Sequence, residues 1–290
     1  MYDRILVPLD GSELAEGALP YAEGIARRLQ SELILLTACM PEEGFERPLR
    51  AYLEKRAEEL RSLGVKASPL LVRGSAANEI LDFSEKHDIG LIIISTHGHT
   101  GIGIWPLGSI ANKVLQRSRI PVLLIRSKEV ERVVLEKEMP KILVPLDSSE
   151  FAEDVIPYVE GLAHGMDSEV VLLRVIEPME PIRWGASGAW HDWEKDFMAR
   201  LEREVKRYLD KEETALRNKG VKVTSASLLG KPTEMILQYA EDNSVSLIAL
   251  ASHGFSGITK WAYGSVAAKI IESSSKPLLL VRPPLPSLET

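Results

Sequence analysis

Short runs of uninterrupted apolar residues alternate along this chain with longer stretches whose apolar positions recur every three or four residues. The runs ILVPL, ELILLT, KASPLLV, LIIIS and PVLLI end at residues 9, 37, 72, 95 and 125. None shows the apolar–polar alternation of a sheet with one wet face, so each predicts a strand buried on both sides. Between them lie helical patterns near 13–29, 48–63 and 76–87 and from about 109. In the first, Leu14, Ala18, Ala22, Ile25 and Leu29 form the apolar stripe, and Pro20 is expected to bend the helix. Strands and helices in alternation predict an α/β fold, with a parallel sheet covered on both faces.

The pattern then starts again. DRILVPLDGSELAEGALPYAEGIARRLQSELILLT (3–37) and PKILVPLDSSEFAEDVIPYVEGLAHGMDSEVVLLR (140–174) agree at 19 of 35 positions, the mark of a duplication. The offset between copies is 137 here and 156 from Gly64/Gly220 onwards, so the second copy carries 19 extra residues. They fall near 178–200, in a segment holding Trp184, Trp190 and Trp193, for which local packing, a cover over a second pocket and a dimer contact are the candidate roles. Pro157 repeats Pro20. Two domains are expected, 1–127 and 140–284, joined by a charged linker, 128–139, whose Val130, Val133, Val134 and Leu135 can pack locally. EKRAEELR (54–61) and EKDFMARLEREVKRYLDKEE (194–213) read as solvated helix faces.

Charge and composition narrow the function. A net charge of -7 argues against a surface built to neutralise nucleic-acid phosphates, although a small anion can still be held locally by backbone amides. Cys39 is the only cysteine, so no intrachain disulfide forms; it is expected as a small buried apolar residue following a strand, in a reducing compartment. No apolar run reaches the length of a membrane span or a signal core, which sets the expectation of a cytoplasmic protein without a membrane partner.

In an open parallel sheet, ligands bind beyond the carboxyl ends of the strands. Asp10, after Pro8 and Leu9, and Asp147, after Pro145 and Leu146, stand at such ends; Ala38 and Val175 follow the second strand of each copy. LIIISTHGHTGIGIWPLGS (91–109) and LIALASHGFSGITKWAYGS (247–265) run from a strand through a glycine loop to Gly-Ser, where the next helix begins. Glycine admits positive φ and close approach to the main chain, and the amides of a helix start attract an anion, so a phosphate cradle is one reading. The alternatives are structural. Gly98, Gly101 and Gly103 could only turn a corner, Ser109 could be a plain N-cap, and DGSE and DSSE resemble caps with an acidic partner. A carboxylate at a strand end can equally hold ribose hydroxyls. His97 and His253 read as packing residues, and Lys113 and Lys269 as solvated side chains that could face a phosphate. No G-x-x-x-x-G-K-[ST], early glycine fingerprint or zinc spacing is present, so no catalytic residue and no metal ligand is assigned.

VPLDGSE and VPLDSSE, SPLLVRG and ASLLG, and the glycine loops leading to PVLLIR and PLLLVR resemble the universal stress protein family, in its tandem form, over nearly the whole chain. The family's ATP-binding branch carries G-x2-G-x9-G-[ST]. Here STHG-x9-GS and ASHG-x9-GS keep the second glycine, the last glycine and the serine, with Ser95 and Ala251 in place of the first glycine. The resemblance implies two Rossmann-like five-stranded domains forming an intrachain pseudo-dimer through antiparallel pairing of Val122–Arg126 with Leu278–Arg282. It implies an adenine nucleotide (ATP, ADP or AMP), with Mg²⁺ as a candidate companion, and a stress-response or regulatory role. Asp10 and Asp147 would meet the ribose or adenine, and Ala38 and Val175 the base. Gly98, Gly108 and Ser109, with Gly254, Gly264 and Ser265, would hold the phosphates, flanked by Ser95, His97, Gly101, Leu107 and Ile110 and by Ala251, His253, Gly257, Tyr263 and Val266. A slow ATP hydrolase or phosphotransferase, and an interaction scaffold that binds no nucleotide, are the competing readings; a homodimer of the two-domain chain is a further candidate assembly.

Overall fold

A computed structural model describes residues 1–40, 46–96, 107–126, 141–178, 188–252 and 263–282, with only the backbone of 188–192 and 194. The linker, Trp184, Gly103 and six candidate site residues (His97, Gly98, Gly101, His253, Gly254 and Gly257) lie outside the described residues.

The first repeat runs β1 (Arg4–Pro8), α1 (Glu13–Glu16), α2 (Leu19–Leu29), β2 (Glu32–Cys39), α3 (Glu46–Ser62), β3 (Lys66–Arg73), α4 (Ala76–Lys86), β4 (Leu91–Ser95), α5 (Ser109–Arg117) and β5 (Val122–Ile125). The second repeats it as β6 (Lys141–Pro145), α6 (Glu150–Glu153), α7 (Ile156–Met166), β7 (Glu169–Ile176), α8 (Gly188–Asn218), β8 (Lys222–Leu229), α9 (Pro232–Asp242), β9 (Leu247–Ala251), α10 (Ser265–Ser273) and β10 (Leu278–Val281).

Two expectations need correction. The stretch 13–29 is two helices, not one bent helix: Pro20 and Pro157 sit in the first turns of α2 and α7, where a missing N–H breaks no hydrogen bond. Ala38 and Val175 lie inside β2 and β7 rather than after them, because β3 and β8 extend the ladder past them, pairing Ala38 with Val72 and Val175 with Leu228.

The strands form one sheet in the order β3-β2-β1-β4-β5-β10-β9-β6-β7-β8. Within each repeat they are parallel; at the centre β5 and β10 pair antiparallel, with Leu279 opposite Leu123, so the expected pseudo-dimer seam is present. Pairing removes two exposed strand edges. Arg126 and Arg282 clasp the seam reciprocally, donating to the carbonyls of Ile271 in α10 and Gln116 in α5, the last turns of each other's helices. Carbonyls there lack intrahelical donors and carry the negative end of the helix dipole.

Apolar residues point to both faces of the sheet, and both cores run through both repeats. Ile5, Leu33, Ile93 and Leu123 meet α2, α3, α7 and α8 on one side; Leu6, Ile92, Leu124 and Leu278 meet α4, α5, α9 and α10 on the other. The repeats also touch through α2 and α7. A Cβ on Gly165 would stand 1.8 Å from Leu29 Cδ2, so the glycine lets the Leu29 side chain of α2 pack directly on α7. Tyr2 Oη donates to Tyr158 O at 2.7 Å beside it. No described helix is long and apolar enough to cross a membrane.

Candidate functional site

Each first strand delivers an aspartate into a tight turn. Asp10 Oδ1 accepts from the amide and hydroxyl of Ser12, at 3.0 and 2.6 Å, and Ser12 Oγ in turn accepts from Ala15 N at 3.1 Å, capping α1. Asp147, Ser149 and Ala152 repeat this geometry, with the same distances. The cap is therefore the serine, not the aspartate that the DGSE and DSSE patterns suggested; the aspartate orients the serine, and the serine fixes the carboxylate at the strand tip. The turn needs left-handed backbone at its second residue, met by Gly11 at φ +84° and, at some cost, by Ser148 at φ +67°.

Gly108 and Gly264 are the N-caps of α5 and α10, and neither cap supplies a side-chain acceptor. Ser109 and Ser265 are thus the first helical residues rather than caps. Gly108 N donates to Thr96 O at 2.7 Å and Gly264 N to Ser252 O at 2.8 Å, which pins each helix start to the end of the preceding strand. The first-turn amides beyond these glycines have no partner within the helix and form the positive end of its dipole.

A cavity joins these features in each repeat. The first, of about 270 Å³, is lined by Pro8, Leu9 and Asp10 from the β1 tip, by Ala38 and Ser95 from β2 and β4, and by Gly108, Ser109 and Ile110 at the start of α5. The second, of about 900 Å³, is lined by the counterparts Pro145, Leu146 and Asp147, Val175 and Ala251, and Gly264, Ser265 and Val266. Both volumes lie near the range of small-molecule sites, about 300–1,000 Å³. Leu107 and Tyr263 instead pack against the core beneath α5 and α10, and burial pushes the Tyr263 hydroxyl upward. Lys113 and Lys269 are exposed and line neither cavity. Cys39 is buried in β2, its Sγ 3.7 Å from Val72 O. Ser95 and Ala251, in place of the motif's first glycine, are only 5% and 9% exposed at the ends of β4 and β9.

Sequence reasoning missed part of the walls. Thr96 in the first repeat and Ser252 in the second follow the fourth strand of their repeats, and Ala76 and Ile80 of α4 and Pro232 and Ile236 of α9 close matching sides. Only the second cavity gains Arg174 from β7, Glu177, and Leu201, Glu204, Val205 and Tyr208 from α8. Arg174 carried a signal, a cation inside the apolar run VVLLRV where the first repeat has Thr37. The α8 residues did not, because 194–213 has the charge density of a solvated face. The inserted segment forms the first turns of this 31-residue helix, where Trp193 stacks on Phe197 with ring centroids 5.3 Å apart.

The family model described as the universal stress protein family matches residues 1–126 and 139–282. Universal stress protein MJ0577 of Methanocaldococcus jannaschii is 32% identical over 152 residues, which cover 49% of this chain and 94% of that protein. YxiE of Bacillus subtilis, also named a universal stress protein, is 28% identical over 43% of this chain and 100% of its own length. The crystal structure of a universal stress protein from Archaeoglobus fulgidus, 20% identical, superposes with a TM-score of 0.73 over 97% of this chain and 99% of that one, showing that both repeats share one fold arrangement with it. Two family matches, together spanning both halves of a duplicated α/β sheet, make this chain a member of the universal stress protein family that carries two of its domains in tandem.

Proposed function

We propose that each repeat binds an adenine nucleotide (ATP, ADP or AMP) and that the protein acts as a stress-response or regulatory binding protein. The observation carrying this reading is the recurrence, in both repeats, of one cavity walled by a fixed aspartate at one strand tip and by the start of an uncapped Gly-Ser helix at another. Phosphate oxygens would accept from the first-turn amides of α5 and α10 and gain from the helix dipole. The ribose hydroxyls would donate to Asp10 or Asp147, and the base would lie on the apolar wall that includes Ala38 or Val175. Family membership supports the same reading, since the doubled STHG-x9-GS and ASHG-x9-GS stretches keep most of the motif of the family's ATP-binding branch. Among the described residues no group of three or more His, Cys, Asp or Glu could hold a metal. A Mg²⁺ companion would be carried by the nucleotide's own phosphates, as this ion commonly is.

Calorimetry with ATP and AMP on Asp10→Ala and Gly108→Val chains tests the first cavity. Each substitution should weaken binding there about tenfold or more, the equivalent of a lost charge-assisted hydrogen bond or a blocked anion site. Affinity unchanged in both variants would remove the assigned pocket. Gly108 has φ -63° and ψ 154°, a backbone open to valine, so this variant should fold.

A further inference from the structure

The two cavities differ by more than size. In the first repeat Tyr52 Oη donates to Glu16 Oε1 at 2.9 Å, and Arg56 clamps the same carboxylate at 2.9 Å. The corresponding residues of the second repeat are Tyr208, Glu153 and Glu212, so a clamping cation has become a carboxylate, paired with Lys211 at 2.9 Å. Tyr208 is pushed upward by burial and then by Glu153, Glu212 and Asp147, which sets it within electrostatic reach of the strand-tip aspartate. Thr37 of the first repeat seals its strand tip by donating to Leu9 O at 2.8 Å. Its counterpart Arg174 enters the second cavity instead, with Nη1 on Val175 O at 2.8 Å and a buried Nε that has no hydrogen-bond partner among the described residues. Both cavities reach the strand tips and the turn after the first strand, but only the second is also walled by the long helix α8, through Leu201, Glu204, Val205 and Tyr208.

We propose that this extension is an annexe for a substituent on the ribose side of the nucleotide, an uncharged aromatic or acyl group bearing a carbonyl or hydroxyl oxygen. The inference rests on the nucleotide reading above, which sets the ribose at Asp147. Leu201, Val205 and the Tyr208 ring supply an apolar wall, and Arg174 on the same lining is the cationic donor for a carbonyl or hydroxyl oxygen. Glu177 and Glu204 on the lining disfavour a further phosphate.

The test titrates the full chain with AMP and with AMP esterified on its ribose by N-methylanthranilate, reading stoichiometry by calorimetry and the ester by fluorescence. Two AMP molecules should bind per chain but only one ester. Arg174→Thr with Glu212→Arg, which restores the first repeat's residues, should weaken the ester about tenfold or more, and by a larger factor than it weakens AMP, the scale of a lost charge-assisted hydrogen bond. Leu201→Trp, filling the annexe without altering its charges, should do the same if the double variant does not fold. An ester that binds both cavities alike, or that neither variant moves while AMP still binds, overturns the annexe and leaves the nucleotide reading standing. If wild-type chain binds no AMP at either cavity, the nucleotide reading falls and the annexe with it.

Discussion

At the scale of single residues, the duplication supplies its own controls. Gly11 and Ser148 occupy the same left-handed turn, but only glycine does so without steric cost. Ser148→Gly should therefore raise stability by about 0.5–1 kcal/mol, read as a higher denaturant midpoint at unchanged slope. Glu241 offers a pH-dependent prediction. A hydrogen bond from Ser275, aided by Lys276, holds its carboxyl below the ordinary glutamate range. A depressed folded-state pKa contributes stability above the unfolded value, about 4.3, and that contribution is lost as pH falls through the folded value. Glu241→Gln should accordingly lose that contribution at neutral pH, a small one for an exposed pair, and converge with the unsubstituted chain in acid, flattening the acid limb of a stability-versus-pH curve.

Among elements, the short helices α1 and α6 link fold to site. Ser12 both caps α1 and holds Asp10, so Ser12→Ala should cost about 0.5–2 kcal/mol in a melting experiment. It should also weaken nucleotide binding in the first repeat, because the carboxylate loses its locator; a stability loss with wild-type affinity would show that the aspartate serves only the cap. The element least apparent beforehand was α8. Its charge pattern gave helical spacing over 194–213 within a helix that runs from Gly188 to Asn218, but Leu201, Val205 and Tyr208 sit at spacings of four and three among Glu, Arg and Lys, too sparse a stripe to announce a cavity wall. Proline was misread for a similar reason: one residue decides between starting a helix and bending it, and the difference lies in where the preceding turn ends.

For the whole molecule, the antiparallel seam makes the two repeats one sheet with two shared cores. Leu279, fully buried opposite Leu123, belongs to a core drawn from both repeats. Leu279→Ala should cost about 2–5 kcal/mol, and calorimetry should still show one transition rather than a half-chain melting alone. By itself the sequence determined the duplication, the strands and their parallel class, the strand-tip aspartates and the Gly-Ser helix starts. Those follow from local periodicity and from comparing the chain with itself. The three-dimensional packing decided that Ala38 and Val175 sit within strands, that serine and not aspartate caps α1 and α6, and that two like repeats enclose unlike cavities. The cap is a local matter, settled by where the left-handed residue falls in the turn. The other two depend on residues far apart in the chain, as when Arg56 meets Glu16 in one repeat and Glu212 replaces it near Glu153 in the other, and such a meeting leaves no mark on the local pattern from which a sequence is read.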